Sequence, residues 1–236
     1  MQVSRIDRES SVFLLKWEDV ERLLELLSAQ LPIITISASC ADKLDRIFSG
    51  VAELKSFNNS KRAAITELKI VARSSDRNQR FSISFANEAK SNIRISLDSE
   101  EAIGVNISNI YQDFLESVKP WYGFLAKVDW YYLVIFFFVL IQLLALAIAL
   151  YEHFPKSFDW PKEGPPAGVS IKAFLMGFIP IFIGVLANKF KLKFFPMGVF
   201  AFGDGLNRYS REETYRTVII VSFLISCIAS IVVAWF

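Results

Sequence analysis

Three hydrophobic rhythms succeed one another along the chain. Between Glu18 and Gln30, Val20, Leu23, Leu24 and Leu27 recur at spacings of three, one and three, which predicts a helix with one buried face. Pro32 stops it, and Ile33, Ile34 and Ile36 open a β-branched run ending near Ser39. A short apolar run, Val12 to Leu15, precedes this helix, and Gly50 to Phe57 predicts a second short helix before the polar turn Asn58-Asn59-Ser60. The expected order is therefore strand, helix, strand, helix. A rhythm of two then takes over, with Leu68 and Ile70, then Phe81, Ile83 and Phe85, then Ile93, Ile95 and Leu97, each alternating with polar neighbours. Short turn signals, Ser74 to Asn78 and Asn87 to Asn92, separate these runs. Short connections favour antiparallel neighbours, and alternation implies one wet face, so a half-covered antiparallel sheet is expected. Ile107, Ile110, Tyr111, Phe114, Leu115 and Val118 form a helical stripe suited to the sheet's apolar face.

The third rhythm is no rhythm at all. Trp130 to Tyr151 reads WYYLVIFFFVLIQLLALAIALY, without a charge and with Gln142 as its one strongly polar side chain. As a helix it extends about 33 Å, matching a hydrocarbon core of about 30 Å. The polar, Pro-rich connection EHFPKSFDWPKEGPPAGVS follows, and then AFLMGFIPIFIGVLAN lies between Lys172 and Lys189. Its uncharged part is short for a span, but lysines at both ends can reach toward water while their stems stay apolar. Thr217 to Phe236 is a third apolar run, and Ser210 with Glu213 fits a capping box that predicts a helix start near Arg211. The segment between the second and third runs holds Lys189, Lys191, Lys193, Arg208, Arg211 and Arg216, which marks it as cytoplasmic by the positive-inside rule. Three crossings then agree with a cytoplasmic amino-terminal domain; two, with a re-entrant second segment, would strand that basic loop outside. Pro120 breaks the last helix of the soluble part, and Trp121, Tyr122, Trp130, Tyr131 and Tyr132 crowd the approach to the first span. Such rings suit the headgroup layer, although Trp121 and Tyr122 also suit the core of the soluble part.

The fold expected is an α+β cytoplasmic domain, an antiparallel sheet with packed helices, followed by an all-α membrane domain. Its parts are a domain over 1–120, a juxtamembrane linker over 121–129, and a transmembrane domain over 130–236 with spans near 130–151, 172–188 and 216–236. Composition supports the division: 53% of residues are hydrophobic, yet Lys/Arg and Asp/Glu balance at seventeen each from Met1 to Val128. The net charge of +2 does not define a nucleic-acid partner, so nucleic acid is not expected as a direct ligand. MQVSRIDRES carries no basic cluster followed by an apolar core, so no cleaved signal is expected. Cys40 and Cys227 lie in different parts of the chain and offer no disulfide framework.

Catalytic chemistry finds little support. His153, the one histidine, falls outside the soluble part, which leaves that part without an imidazole for nucleophile activation or for most zinc sites. Neither a GxxxxGK[ST] loop nor GxGxxG occurs. Asp42 with Asp45, or Glu100 with Glu101, read as solvated surface charge, and Gly203-Asp204-Gly205 reads as a tight turn, since a calcium loop needs alternating acidic positions and a distal Glu. No cofactor, metal or catalytic residue is expected. The spans offer more: Ser222, Ser226, Ser230 and Ala234 recur every four residues, widened by Cys227 and Ala229, and Gln142 shares a side with Ala145 and Ala149. Such a face either packs helices closely or lines a water-filled path in a homo-oligomer. Lys189, Lys191 and Lys193 alternate with Phe190, Leu192 and Phe194, a pattern suited to anionic lipid headgroups.

Phe195 to Tyr209, FPMGVFAFGDGLNRY, with Arg216 and a final span behind it, resembles a carboxy-terminal signature of small bacterial multi-span membrane proteins, some of them membrane effectors of phage-defence systems. Phe195-Pro196 and Gly203-Asp204-Gly205 carry the likeness. The resemblance implies a bacterial inner-membrane protein. The missing catalytic set, the short, stiff junction between the soluble part and the first span, and the serine stripe lead to the expectation of a non-enzymatic, membrane-permeabilising effector whose cytoplasmic domain answers to a protein or small-molecule trigger. A membrane-tethered scaffold that recruits a cytoplasmic partner without conducting ions is the alternative.

Overall fold

A computed structural model describes residues 2–76, 78–87, 92–153 and 167–235. These divide into two compact units, one made of the described residues up to Gly123 together with those from Pro196 onward, the other running from Phe124 to Phe195.

The first unit is α+β. Its main sheet has six strands, β1 (Gln2–Glu9), β3 (Ile33–Cys40), β4 (Asp45–Phe48), β5 (Ile65–Arg73), β6 (Arg80–Ala86) and β7 (Ile93–Glu100), in the spatial order β1-β7-β6-β5-β3-β4. Every pairing is antiparallel. The alternation seen in the sequence fixes the register. Ile36 stands opposite Ile70, Ile70 opposite Ile83, and Ile83 opposite Ile95, so one isoleucine row crosses four strands, and Phe48 extends it onto β4. A one-residue slip of any strand would turn its whole apolar set to water. Two helices cover this row. α1 (Trp17–Ser28) buries Val20, Leu23, Leu24 and Leu27, and α3 (Glu101–Ser117) buries Ile107, Tyr111, Phe114 and Leu115. Each such side chain contributes roughly 1.5–3 kcal/mol when removed from water. The Tyr111 ring stacks on Phe81, and its hydroxyl donates to Asp7 at 3.2 Å, which holds edge strand β1. The opposite face carries exposed Thr35, Lys69, Arg73, Arg80, Arg94, Ser96 and Asp98, so the sheet is covered on one side only.

Several elements escaped the hydrophobic pattern. β1 precedes the first expected strand, which is β2 (Phe13–Lys16), and β4 follows β3 before the short helix α2 (Val51–Ser56), so strand, helix, strand, helix becomes ββαββα. A five-residue helix, α4 (Gly123–Lys127), lies in the expected linker. More consequential is β8 (Gly198–Ala201), which pairs in parallel with β2 as a separate two-stranded sheet. The segment read as an interhelical loop is thus part of the α+β core. Phe200 and Phe202 are buried in it, and the Phe13 ring meets Phe85 and Phe200 edge-on at 5.3 and 5.5 Å.

From this core emerges α7 (Asp204–Trp235), one continuous helix. It begins before the expected cap: Ser210 lies inside it, with its carbonyl accepting a hydrogen bond from Thr214 Oγ1 at 3.1 Å. Among the described residues, Asp204–Ser230 is the one helix long and apolar enough to cross a membrane. Val218, Ile219, Val221, Phe223, Ile225 and Ile228 are all exposed on it.

The second unit is a helical hairpin of α5 (Trp130–His153) and α6 (Ala167–Phe194). Trp130, at the start of α5, meets Phe190 and Phe195, at the end of α6, with ring centroids 6.4 and 5.5 Å apart, so the helices run antiparallel. On α6, Pro180 and Gly184 are buried and Ala187, Asn188 and Lys191 half-buried, a stripe at helical spacing that faces Tyr131, Val134, Ile135 and Phe138 of α5. Tyr131 packs directly on Gly184. α6 is longer than its uncharged stretch, since it runs on through Lys189, Lys191 and Lys193. Cations in a last turn suit the partial negative charge of a helix end. Most of the Pro-rich connection, with Lys156, Ser157 and Lys162, lies outside the described residues, as do the side chains of Ala145, Ala149, His153, Lys172, Cys227 and Ala234.

Candidate functional site

The residues that anchor α7 in the α+β unit form the most elaborately built part of the molecule. The turn entering the helix is pressed against Phe57-Asn58-Asn59. Gly203 has φ +46°, and a Cβ there would fall 2.8 Å from the Phe57 and Asn58 carbonyl oxygens. At Gly205 a Cβ would lie 2.5 Å from the Asn59 amide nitrogen and closer still to the Phe200 carbonyl. Both glycines are therefore required by approach, and Gly203 by backbone conformation as well. The Asp204 N–H donates to the Asn58 carbonyl at 3.0 Å.

Asn59 is the keystone of this contact. It is 1% exposed and uses its whole amide: Nδ2 donates to the Phe200 and Phe202 carbonyls at 3.0 and 3.2 Å, and Oδ1 accepts from Ile65 N–H at 2.9 Å. Its own φ of +40° is one that asparagine tolerates better than most residues. Asn92 does the same at the other end of β8. Its Oδ1 accepts from Ser11 N–H at 3.0 Å, and its Nδ2 donates to Ser11 O and, at 3.4 Å, to Met197 O. Backbone pairing of β2 and β8 fills the interval between these two side chains.

Three turns into α7, Arg216 completes the anchorage. Its side chain is fully buried, between the rings of Tyr122 and Tyr209, whose centroids lie 4.5 and 5.2 Å from the guanidinium carbon. Nη1 donates to Glu213 at 2.5 Å and Nη2 to Glu212 at 3.4 Å, while Nε has no partner among the described residues. Glu213 also accepts from the Trp121 indole N–H. Burial raises the Tyr122 phenol pKa well above the ordinary tyrosine range, so it stays neutral beside the cation. Tyr122 is thus a core residue rather than a headgroup anchor, and Glu213 serves Arg216 and Trp121 rather than a cap. Arg216, from the sequence one of the loop's cytoplasmic cations, has its charge matched locally.

The residues singled out by sequence occupy other places. Ser222, Ser226 and Ser230 are exposed along α7, and the Ser226 and Ser230 hydroxyls donate to the carbonyls four residues before them, at 2.9 and 2.8 Å. Their polarity is satisfied within the helix, so the stripe presents a smooth, small surface. Gln142 is exposed on α5, in the other unit, where Lys189 and Lys193 are exposed and Lys191 half-buried at the end of α6. Asp42 is held by Arg46 through both oxygens, at 3.0 and 2.5 Å, and Asp45 accepts from Ser39 Oγ at 2.7 Å. Glu100 and Glu101 lie exposed at the β7–α3 junction, and no three His, Cys, Asp or Glu converge among the described residues. Cys40 is buried, which raises its thiol pKa and slows its reactions at neutral pH.

The Asn59 and Asn92 contacts and the seating of Arg216 on Tyr122 leave no mark in the sequence because each joins segments remote in the chain; the one local signal is the pair of glycines around Asp204. No protein-family model matches the chain, and neither a curated protein nor a solved structure matches it.

Proposed function

We propose that this is a multi-pass protein of the bacterial inner membrane, whose cytoplasmic α+β unit binds a protein or small-molecule trigger and whose helices, assembled as a homo-oligomer, permeabilise the membrane. The observation that carries the reading is the rooting of α7 in the α+β unit, through β8 held by Asn59 and Asn92 and through Arg216 against the Tyr122 ring, because a ligand-induced shift in that unit has a direct mechanical route into the helix. A loosely tethered anchor would need none of these contacts. The exposed Val218, Ile219, Val221, Phe223, Ile225 and Ile228 of α7 suit a lipid environment.

Strand pairing also bears on topology. Residues 13–16 and 198–201 pair in one sheet, so they lie on the same side of any membrane, and the intervening excursion through α5 and α6 must cross an even number of times. At about 1.5 Å per residue, α5 and α6 reach about 36 and 42 Å, enough for two crossings. Two crossings there and one by α7 make up the three of the proposed topology, which keeps the basic loop on the cytoplasmic side. Single cysteines at Ser157 and Ser210, in a Cys40→Ser, Cys227→Ser background, label from outside and from inside respectively. Labelling of both from one side would mean that α6 does not cross.

Function is tested at Ser226 by dye entry after induced expression, with crosslinking of the same cells. Ser226→Ala retains dye entry, since an interhelical hydroxyl bond in membranes averages only about 0.6 kcal/mol and this hydroxyl already bonds within its helix. Ser226→Leu still crosslinks as an oligomer but blocks passage, because a local apolar constriction suffices to dewet a narrow path. An oligomer that conducts normally with leucine in place removes the serine face from any pore. Wild-type protein that admits no dye and leaves membrane potential unchanged under every trigger tried would favour the scaffold reading.

A further inference from the structure

At the root of α7 a pocket of about 310 Å³ opens between the loop bearing Lys61 and the first two turns of the helix. Lys61, Asp204, Asn207, Arg208 and Arg211 line it. The volume is near the lower end of the range for small-molecule sites, about 300–1,000 Å³. Three of the five lining residues are cations, brought together from remote segments by the same Asn58 and Asn59 contacts that seat the helix. None of the three makes an ion pair among the described residues. Asp204, the one carboxylate in the lining, faces Asn58, whose amide nitrogen, when turned toward it, lies 3.2 Å from both oxygens. Gathering three cations in a concavity carries a repulsive cost that a bound anion offsets, and guanidinium and ammonium groups are the donors that phosphate takes.

We propose that Lys61, Arg208 and Arg211 form a binding pocket for a phosphate group, at the point where α7 leaves the α+β unit. Two sources of that group are compatible with the position. The apolar stretch of α7 starts at Thr217, so Arg211 and Arg208 precede it by about 9 and 13 Å along the helix, and the headgroup layer is about 5–8 Å deep. Arg211 is the pocket residue nearest the apolar stretch, so a lipid phosphate can enter the pocket from that side, and a soluble phosphate can enter past Lys61 and Arg208 from the water; either way all three cations meet the same group. The lipid source rests on the membrane reading above; the pocket itself does not.

The test uses the full chain in nanodiscs, with two probes. Calorimetric titration with inorganic pyrophosphate in phosphatidylcholine discs reads the soluble source. Native mass spectrometry after exchange from discs containing phosphatidylglycerol reads retained anionic lipid. Binding is expected with at least one probe, and Lys61→Gln and Arg208→Gln each weaken it about tenfold or more, as loss of one charge-assisted hydrogen bond requires. Arg22→Gln, which removes an exposed cation on α1, leaves it unchanged. Lys61 is on an exposed loop, so its variant stays informative even where Arg208→Gln perturbs folding. Pyrophosphate binding alone assigns a free phosphate, and lipid retention alone a headgroup. Binding of neither probe, or equal weakening by Arg22→Gln, overturns the proposal. Neither readout involves leakage, so a protein that conducts nothing leaves this test intact.

Discussion

Arg216→Ala is expected to lower the unfolding free energy of the α+β unit by about 3 kcal/mol, read by denaturant unfolding of the full chain in micelles with tryptophan fluorescence as the probe. Removing one member of a buried ion pair costs about 3–5 kcal/mol, largely because the other is left uncompensated. Here the lower end applies, because Glu213 and Glu212 retain 28% and 41% side-chain exposure and can rehydrate. What is lost besides charge is the plate between Tyr122 and Tyr209. Arg216→Lys therefore recovers less than half of the loss, since an ammonium keeps the charge but neither fills a flat slot nor serves two carboxylates in a fixed fork. Arg216→Met, which fills the slot without charge, is less damaging in the Glu213→Gln background than alone. A lysine variant as stable as the parent would show that the guanidinium geometry is irrelevant.

Asn59→Ala is expected to cost a further 2–4 kcal/mol or so by the same assay. The substitution strands a buried N–H at Ile65 and two buried carbonyls at Phe200 and Phe202, each group about 1–3 kcal/mol when left without a partner and partly relieved by relaxation. The positive φ adds about 1 kcal/mol for a residue with a plain Cβ. Asn59→Asp is the sharper probe. It preserves shape and the bond from Ile65 but sets carboxylate oxygen against two carbonyl oxygens, so it destabilises more than alanine does at neutral pH. An aspartate variant equal to wild type would mean that Nδ2 does not hold β8. Since β8 leads directly into α7, both Asn59 variants should also make the Ser210 region more accessible to protease.

The parts of the fold legible in the sequence are those whose partners are near or repetitive. The isoleucine row from Ile36 to Ile95 and the stripes of α1 and α3 follow from alternation and helical spacing alone. β1 was invisible because an edge strand needs little apolar content: its pairing with β7 is backbone to backbone, and Ile6 faces water at 72% exposure. β4 is four residues long, and β8 is equally short with its partner near the opposite end of the chain. The anchoring side chains were read as generic types. Asn59 passed for a turn residue, Glu213 for a cap and Arg216 for a topology signal, because nothing local distinguishes an amide or a charge that will be buried from one that stays in water. The two glycines flanking Asp204 were noticed as a turn, but the surface they accommodate, Phe57 to Asn59, is far away in sequence.

The parallel pair of β2 and β8 imposes a schedule on biogenesis. β2 leaves the ribosome early, while β8 follows roughly 180 residues later, after both helices of the hairpin. At about 5–20 residues per second the delay is roughly ten to forty seconds. Throughout it β2 has an open edge, and Phe13, which ends fully buried, lacks the Phe200 ring. An α+β unit that cannot finish until the hairpin has been made is protected against acting as a free-standing domain, and it is also a substrate for chaperones during that wait. Synthesis of the hairpin and completion of the α+β core are consequently one process in time, and a chain stalled before Pro196 should be recognised and degraded as unfinished.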